Sequence, residues 1–368
     1  MSAADNARPD RVHDRLPARL PESRVPASRE APPLRWGIAG PGWIAERFAA
    51  SLQQHTRQQL AAVGSRSQER SAGFAARFGI PAAYGSYREL AEAPDVDIVY
   101  VATPHNHHHR VALEALDAGK HVLVEKPIGI NAAQAEEIAE LARARGLFAA
   151  EALWTFFLPK FDVVRQLLDG GHLGQVVSVM AEYGEHFEPG HRIFDADLAG
   201  GPLLDLGTYP LAFITALLGH PEEVCALGTP HPEGVNGQIS AVMQFPGGAH
   251  AVTNTNLYGF TPTAATVVGT RATLTIDGPF NFPGGFTVKG HDGGELRYEG
   301  EPGGHLEGLH YQAAAVARAI AAGRREVEER PMAESIRFLR LADELRRQLG
   351  IRFPEEARQA PAASLPNQ

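Results

Sequence analysis

From Leu34 onward, short apolar runs alternate with mixed stretches long enough for helices. The runs are LRWGIAG at 34–40, LAAVGS at 60–65, DIVYVAT at 97–103, HVLVEKP at 121–127 and FAAEA at 148–152. Near-continuous apolar strands separated by helical segments predict a parallel sheet covered on both faces. The pattern holds to about Trp154, and beyond Thr155 the order changes. A helix is predicted at Phe161–Leu168, a strand at Val176–Tyr183 and a helix at Tyr209–Leu218. Strand-like runs then follow one another across Gly, Pro and Asp turns: VCALGT, ISAVMQF, AHAVTNTN, TAATVVG, ATLTID and GFTVKG. Successive strands without intervening helices pair antiparallel. A last helix, Met332–Leu349, directs Ile336, Leu339, Leu341 and Leu345 toward one face. No repeat of twenty to fifty residues is visible.

Composition changes this picture at the ends. Residues 1–33 mix Ala, Pro, Arg, Asp and Glu without a period, a texture that buries too little surface to offset its ordering entropy, so a disordered extension is expected there. A disordered tail is expected over 355–368. The chain of 368 residues, 44% hydrophobic and 21% charged, has material for two cores. The expected division is a nucleotide-binding domain at 34–154 and a substrate and dimerisation domain at 155–354. A net charge of -9 argues against nucleic acid and anionic membranes as partners and leaves a small molecule. Cys225 is the lone cysteine, no run reaches the length of a membrane span, and the first residues lack the apolar core of a signal peptide, so a cytoplasmic location is expected.

The first apolar run leads straight into Gly40-Pro41-Gly42-Trp43-Ile44-Ala45, a G-x-G-x-x-A sequence between a strand and a helix. Gly40 allows a tight turn, Gly42 lets the backbone approach a pyrophosphate, and Ala45 lets the helix pack on the strand, while helix N-terminal N–H groups favour the anion. The fold class that results is α/β: an N-terminal Rossmann doubly wound parallel sheet plus a C-terminal α+β domain with a large, mainly antiparallel sheet. NAD-binding domains of this kind place a carboxylate after the second strand to hold the ribose 2′-hydroxyl. Here that position reads Gly64-Ser65-Arg66, a hydroxyl and a guanidinium suited to a 2′-phosphate. NADP(H) is therefore the preferred cofactor, with NAD(H) compatible.

Two further segments carry chemistry. Glu125-Lys126-Pro127 closes the fourth apolar run, at the sheet edge where ligands of open α/β folds bind. In GGPLLDLGTYP, Pro210 belongs in the first turn of a helix, which puts Asp205 beside the helix start and Tyr209 one turn on. Alone, the first segment reads better as a strand-ending turn with a solvated lysine, and the second reads at least as well as a capped helix with a buried aromatic. Together, GIAGPGWIA, TPHNHHH, AGKHVLVEKP, EALWTFFLP and FDADLAGGPLLDLGTYPL resemble, in that order, the glucose-fructose oxidoreductase, inositol dehydrogenase and rhizopine-catabolism family, Gfo/Idh/MocA. The resemblance runs from about Leu34 to Phe353 and is nearest to the branch of dimeric dihydrodiol dehydrogenase and glucose-fructose oxidoreductase, on Glu151 to Pro159 and on Tyr209 where inositol dehydrogenases carry histidine.

The resemblance implies hydride transfer between nicotinamide and a secondary alcohol or carbonyl of a sugar, inositol or cyclic diol. Tyr209 exchanges the proton, Lys126 is its electrostatic partner, and Asp205 positions the pair. It implies that the dinucleotide meets Gly40, Pro41, Gly42, Trp43, Ile44, Ser65, Arg66, Thr103, Pro104, His105, His108, Glu125, Lys126 and Trp154. Lys126, His186, Arg192, Asp205 and Tyr209 are the expected substrate contacts. Phe156 departs from the family pattern, where many relatives carry arginine, and Arg192 is a candidate substitute cation. The histidines at 105, 107, 108 and 109 lack a neighbouring carboxylate or cysteine, so no metal is expected. A homo-oligomer, dimer or tetramer, formed through the C-terminal sheet is expected because an open sheet must bury its second face. A non-catalytic NADP-sensing regulator and a nicotinamide-dependent glycosidase of the same family are the alternative readings.

Overall fold

A computed structural model describes residues 16–301, 303 and 307–359. The first sheet contains β1 (Arg35–Ala39), β2 (Gln59–Gly64), β3 (Ala82–Tyr84), β4 (Ile98–Val101), β5 (His121–Glu125) and β6 (Ala149–Ala152). All its pairings are parallel, in the order β3-β2-β1-β4-β5-β6. Strand order reverses between β1 and β4, which opens the ligand crevice of a doubly wound sheet. The connecting helices are α1 (Trp43–His55), α2 (Gln68–Phe78), α3 (Tyr87–Glu92), α4 (His105–Asp117) and α5 (Ala132–Arg145). Their ends are locally encoded. The Ser67, Ser86 and Asn131 side chains accept from the backbone N–H groups of Arg70, Glu89 and Gln134, and Gly79 and Gly146 close α2 and α5 in the left-handed conformation.

The chain then forms α6 (Pro159–Asp169), β7 (Val176–Gly184), the short α7 (Pro202–Asp205) and α8 (Thr208–Leu218). Seven strands complete a second sheet: β8 (Glu223–Pro230), β9 (Asn236–Gln244), β10 (His250–Asn256), β11 (Ala265–Gly269), β12 (Ala272–Ile276), β13 (Phe286–Gly290) and β14 (Glu295–Tyr298). Its order is β14-β13-β12-β11-β7-β10-β9-β8, antiparallel except where β7 and β10 pair parallel at the centre. Burial alternates along β9 to β13, so one face packs on the core and the other is open. Helices α8 and α10 (Met332–Leu349) lie on this sheet. No single helix among the described residues is long and apolar enough to cross a membrane.

The linear division at Trp154 misses the return of the chain. Helix α9 (Leu309–Ala321) packs on α1, and α10 packs on α5, so late residues complete the helical layer of the first sheet. The expected extension also needs correction from Leu16 on, while residues 1–15 lie outside the described residues. Arg24 forks onto the buried carboxylate of Asp162 with Nη2–Oδ1 at 2.8 Å, and its backbone N–H donates to the same carboxylate at 2.7 Å. Ser28 Oγ lies 2.8 Å from His310 Nδ1, Arg318 donates to Ala27 O at 2.6 Å, and Ala31 is fully buried. This segment is held by the Asp162 carboxylate of α6 and by the Arg318 guanidinium and His310 ring of α9, partners more than a hundred residues away that composition does not show. The expected tail likewise begins with a helix, α11 (Pro354–Gln359), where Glu356 pairs with Arg346 and accepts from Asn131. Residues 360–368 lie outside the described residues.

Candidate active site

The nucleotide crevice is built from the ends of β1, β2 and β4. Gly40 has φ 97°, and a Cβ there would stand 2.8 Å from the carbonyl oxygen of Ala102, so the turn admits only glycine. Gly42 caps α1 with ordinary backbone angles, yet a Cβ added to it meets nothing within 4 Å. The space above this helix N-terminus is thus open and lined by backbone donors, the cradle a pyrophosphate needs. Ala45 is fully buried against the sheet, while Pro41 and Ile44 are half-buried and Trp43 is exposed beside Arg47. Thr103 Oγ1 and His105 Nδ1 are buried without a hydrogen-bond partner, as fits groups awaiting a polar ligand.

Ser65 is buried at the end of β2 and Arg66 is exposed beyond it. Burial raises the pKa of the Tyr87 phenol, and Arg66, Arg110 and Arg70 oppose this, Arg66 also by a hydrogen bond. His107 is lowered by burial and then by Arg66 and Arg110. The guanidinium groups of Arg66, Arg70 and Arg110 all act on the Tyr87 phenol, and of the three only Arg66 was legible from its place in the sequence.

The chemistry-bearing cluster forms where β5 meets α7 and α8. Lys126, whose bond to Pro127 is cis, donates from Nζ to the Asp205 backbone oxygen at 2.8 Å and to Asp205 Oδ1 at 2.7 Å. Arg192 reaches the other carboxylate oxygen at 3.0 Å. Burial pulls the Lys126 ammonium down, but Asp205 and Tyr209 outweigh it and the net direction is up. Burial likewise works against the Asp205 charge, and Lys126, Arg192 and His105 hold it well below the usual carboxylate range. The Tyr209 ring centroid is 5.1 Å from Lys126 Nζ, and its hydroxyl oxygen accepts from Trp154 Nε1 at 3.4 Å. Burial, joined by the charges of Glu125 and Asp205, raises the Tyr209 pKa more than Lys126 and Trp154 lower it. The phenol is therefore protonated at neutral pH, with Lys126 acting against burial in favour of the phenolate.

Beneath this cluster the Tyr100 hydroxyl donates to Glu125, whose second oxygen accepts from Lys126 N at 3.1 Å; burial pushes the Glu125 carboxyl up to about 7. His108 spans the crevice with its ring nitrogens 2.7 Å from the carbonyls of Pro127 and Thr103, tying the turn at 103–104 to the turn at 126–127. His109 pairs with Glu137.

His186 and Phe156 sit in contrasting surroundings. The His186 side chain, an expected substrate contact, is 52% exposed, with Nε2 3.9 Å from Glu188. Phe156 faces the core under Arg330, 5.3 Å from its ring centroid, and Arg330 pairs with Glu151 at 3.0 Å in full burial. Sequence reasoning missed Tyr183, whose ring centroid lies 5.8 Å from that of Tyr209, and Glu185, which accepts from the Tyr183 hydroxyl.

An open cradle at the first turn of a Rossmann sheet, with a lysine, an aspartate and a tyrosine gathered at the same edge, defines a nicotinamide-dependent oxidoreductase. Comparison with known proteins is specific. A family model described as an oxidoreductase family with an NAD-binding Rossmann fold matches residues 34–152, and the GFO/IDH/MocA C-terminal domain matches 161–275. Trans-1,2-dihydrobenzene-1,2-diol dehydrogenase of Bos taurus is 37% identical over 332 residues, spanning 88% of this chain and 99% of its own. The Homo sapiens protein of the same name is 35% identical with the same coverage. A 3-ketoreductase from Actinomadura kijaniata, solved with NADP and TDP-benzene, has TM-score 0.75 at 29% identity over 86% of this chain and 98% of its own. Levoglucosan dehydrogenase, solved with NADH and L-sorbose, shares the fold at TM-score 0.79 and 18% identity, over 86% of this chain and 97% of its own. The chain belongs to the Gfo/Idh/MocA family of NAD(P)-dependent oxidoreductases.

The open space at Gly42 makes a clean prediction. Gly42→Ala is expected to weaken dinucleotide binding about tenfold or more, the worth of a charge-assisted contact, while costing no more than about 1 kcal/mol of stability through a poorer helix cap. Fluorescence titration with NADPH and urea unfolding measure the two, and unchanged affinity would remove Gly42 from the phosphate site.

Proposed function

We propose that this chain is an NADP(H)-linked dehydrogenase or reductase acting on a secondary alcohol of a cyclic diol or sugar, with Tyr209 as proton donor and acceptor. The clamp of Lys126 Nζ on Asp205, beside the Tyr209 ring, carries the reading. The diol dehydrogenases named above support the substrate class. A bound nicotinamide supplies the two-electron hydride donor or acceptor. Lys126, charged and immobilised, donates a hydrogen bond to the substrate oxygen and steadies the negative charge that grows there. Tyr209 gives its proton to that oxygen in reduction and takes the hydroxyl proton in oxidation. Since the Tyr209 pKa is raised, the acid form dominates at neutral pH; reduction is supported there, and oxidation gains as pH rises. A sensor would need the nucleotide crevice but not this cluster. Lys126→Met and Tyr209→Phe are each expected to lower turnover by about a hundredfold or more while NADPH affinity changes less than about threefold. A screen of cyclic diols and sugars by NADPH absorbance provides the assay, and normal turnover in either variant would overturn that residue's role.

The preference for NADP(H) rests on Ser65 and Arg66, reinforced by Arg70 and Arg110 around Tyr87. Arg66→Ala is expected to reduce the NADPH-to-NADH affinity ratio about ten- to a hundredfold, the worth of one charged hydrogen bond. Equal loss for both nucleotides would place the 2′-phosphate elsewhere.

The open face of the second sheet is proposed to meet a second copy of the chain. Val242 of β9 sits opposite Val252 of β10, which sits opposite Met180 of β7, and all three are exposed while the helices cover the other face. An apolar row across adjacent strands is self-complementary about a two-fold axis. Met180→Glu with Val242→Glu should shift sedimentation equilibrium from dimer to monomer, and a monomeric native chain would dismiss the interface.

A further inference from the structure

The YGEHFEP segment presents a second carboxylate to the site. Glu185 follows the last residue of β7, and its backbone N–H donates to Asn256 O at 3.1 Å, so its position is fixed by the sheet. The Tyr183 hydroxyl donates to Glu185 Oε2 at 3.2 Å, and the Tyr183 ring lies against Tyr209 with centroids 5.8 Å apart. Glu185 Oε1 has no protein hydrogen bond among the described residues. Burial raises the affinity of Glu185 for a proton, the Tyr183 hydrogen bond lowers it, and the charges of Asp205 and Lys126 then act on it in opposite directions. A half-buried carboxylate that feels both members of the catalytic pair, and is steadied on one oxygen by a phenol, has its other oxygen available to a ligand beside Tyr209.

We infer that Glu185, aligned by Tyr183, accepts a hydrogen bond from a second hydroxyl of the substrate, adjacent to the one that exchanges its proton with Tyr209, so that the site selects vicinal diols over single alcohols. This rests on the dehydrogenase reading above and names what that reading leaves open. A site built to bond a substrate hydroxyl rejects an analogue lacking it, because the site's polar group is then left without a partner.

The test compares kcat/KM with NADP+ for cyclohexane-1,2-diol and cyclohexanol in the native chain, Glu185→Ala, Glu185→Gln and Tyr183→Phe. The native chain is expected to prefer the diol. Glu185→Ala should lower kcat/KM for the diol about ten- to a hundredfold, mainly through KM, and change cyclohexanol less than about threefold. Glu185→Gln should retain part of the preference, since the amide oxygen still accepts, and Tyr183→Phe should fall between. NADPH affinity and thermal midpoint serve as folding controls, and Tyr183→Phe carries the test alone if Glu185→Ala does not fold. An equal loss on both substrates, or none on the diol, overturns the role of Glu185 and leaves the dehydrogenase reading intact. Absence of turnover on both substrates and on all polyols in the native chain overturns the dehydrogenase reading, and this inference with it.

Discussion

The ion pair between Lys126 and Asp205 is the constraint on which the site depends, because it joins the edge of one sheet to the helices packed on the other. Burying two charges costs several kcal/mol each and is repaid only when geometry is close and the remaining valences are filled. Here they are. One Asp205 oxygen takes Lys126, the other takes Arg192, and the Asp205 carbonyl takes a second Lys126 hydrogen. The ammonium is thereby held charged and immobile while Tyr209 stays neutral beside it. Asp205 acts on Tyr209 in two opposed ways: it fixes the cation that favours phenolate, and its own charge disfavours it. The balance falls on the protonated side, so Asp205 is a positioning residue.

Holding Lys126 and Asp205 in register requires two rigid bodies in a fixed relation, and the chain secures this by returning on itself. Helices α9 and α10 leave the second sheet and pack on α1 and α5 of the first. The segment from Arg24 to Ala31 adds a strap from Asp162 on α6, across Arg318 and His310 on α9, to Arg29 bonded to Gln54 O on α1. Its bonds reach both halves of the molecule, and each is formed with a partner already fixed by its own helix.

What was legible in the sequence was what is locally encoded. The Gly40-x-Gly42-x-x-Ala45 turn and the long apolar strands follow from backbone sterics and periodicity, and Lys126, Asp205 and Tyr209 stood out once several motifs were read in order. The strand Ala82–Tyr84, the strand Glu295–Tyr298 and the single turn Pro202–Asp205 are too short to carry a period. Glu185 and His186 show a sharper limit. Neighbours on an extended chain point to opposite sides, and in YGEHFEP sequence reasoning chose the exposed His186, while the half-buried Glu185, bonded to Tyr183, has no local signature. The convergence of Arg66, Arg70 and Arg110 on Tyr87 joins four elements and has no signature along the chain.

The charge balance of the site bears on the kind of substrate it can hold. Lys126 and Arg192 both pair with Asp205, whose carboxylate stays ionised at any physiological pH and offsets one of their two charges. Glu185 adds negative charge on one side, and Glu125, pushed up to about 7 by burial, adds part of a charge below. A carboxylate or phosphate on the substrate would enter a field with no uncommitted cation in this cluster to receive it, and the desolvation of such an anion would go uncompensated. A neutral hydroxyl-bearing ring meets no such penalty, because it brings no charge to desolvate. The proposed seat of the cofactor's phosphate lies instead beside Arg66, apart from this cluster. One crevice thus separates a cationic end for the nucleotide from a charge-balanced end for a polyol, and it is this partition, more than any single residue, that argues for a neutral substrate.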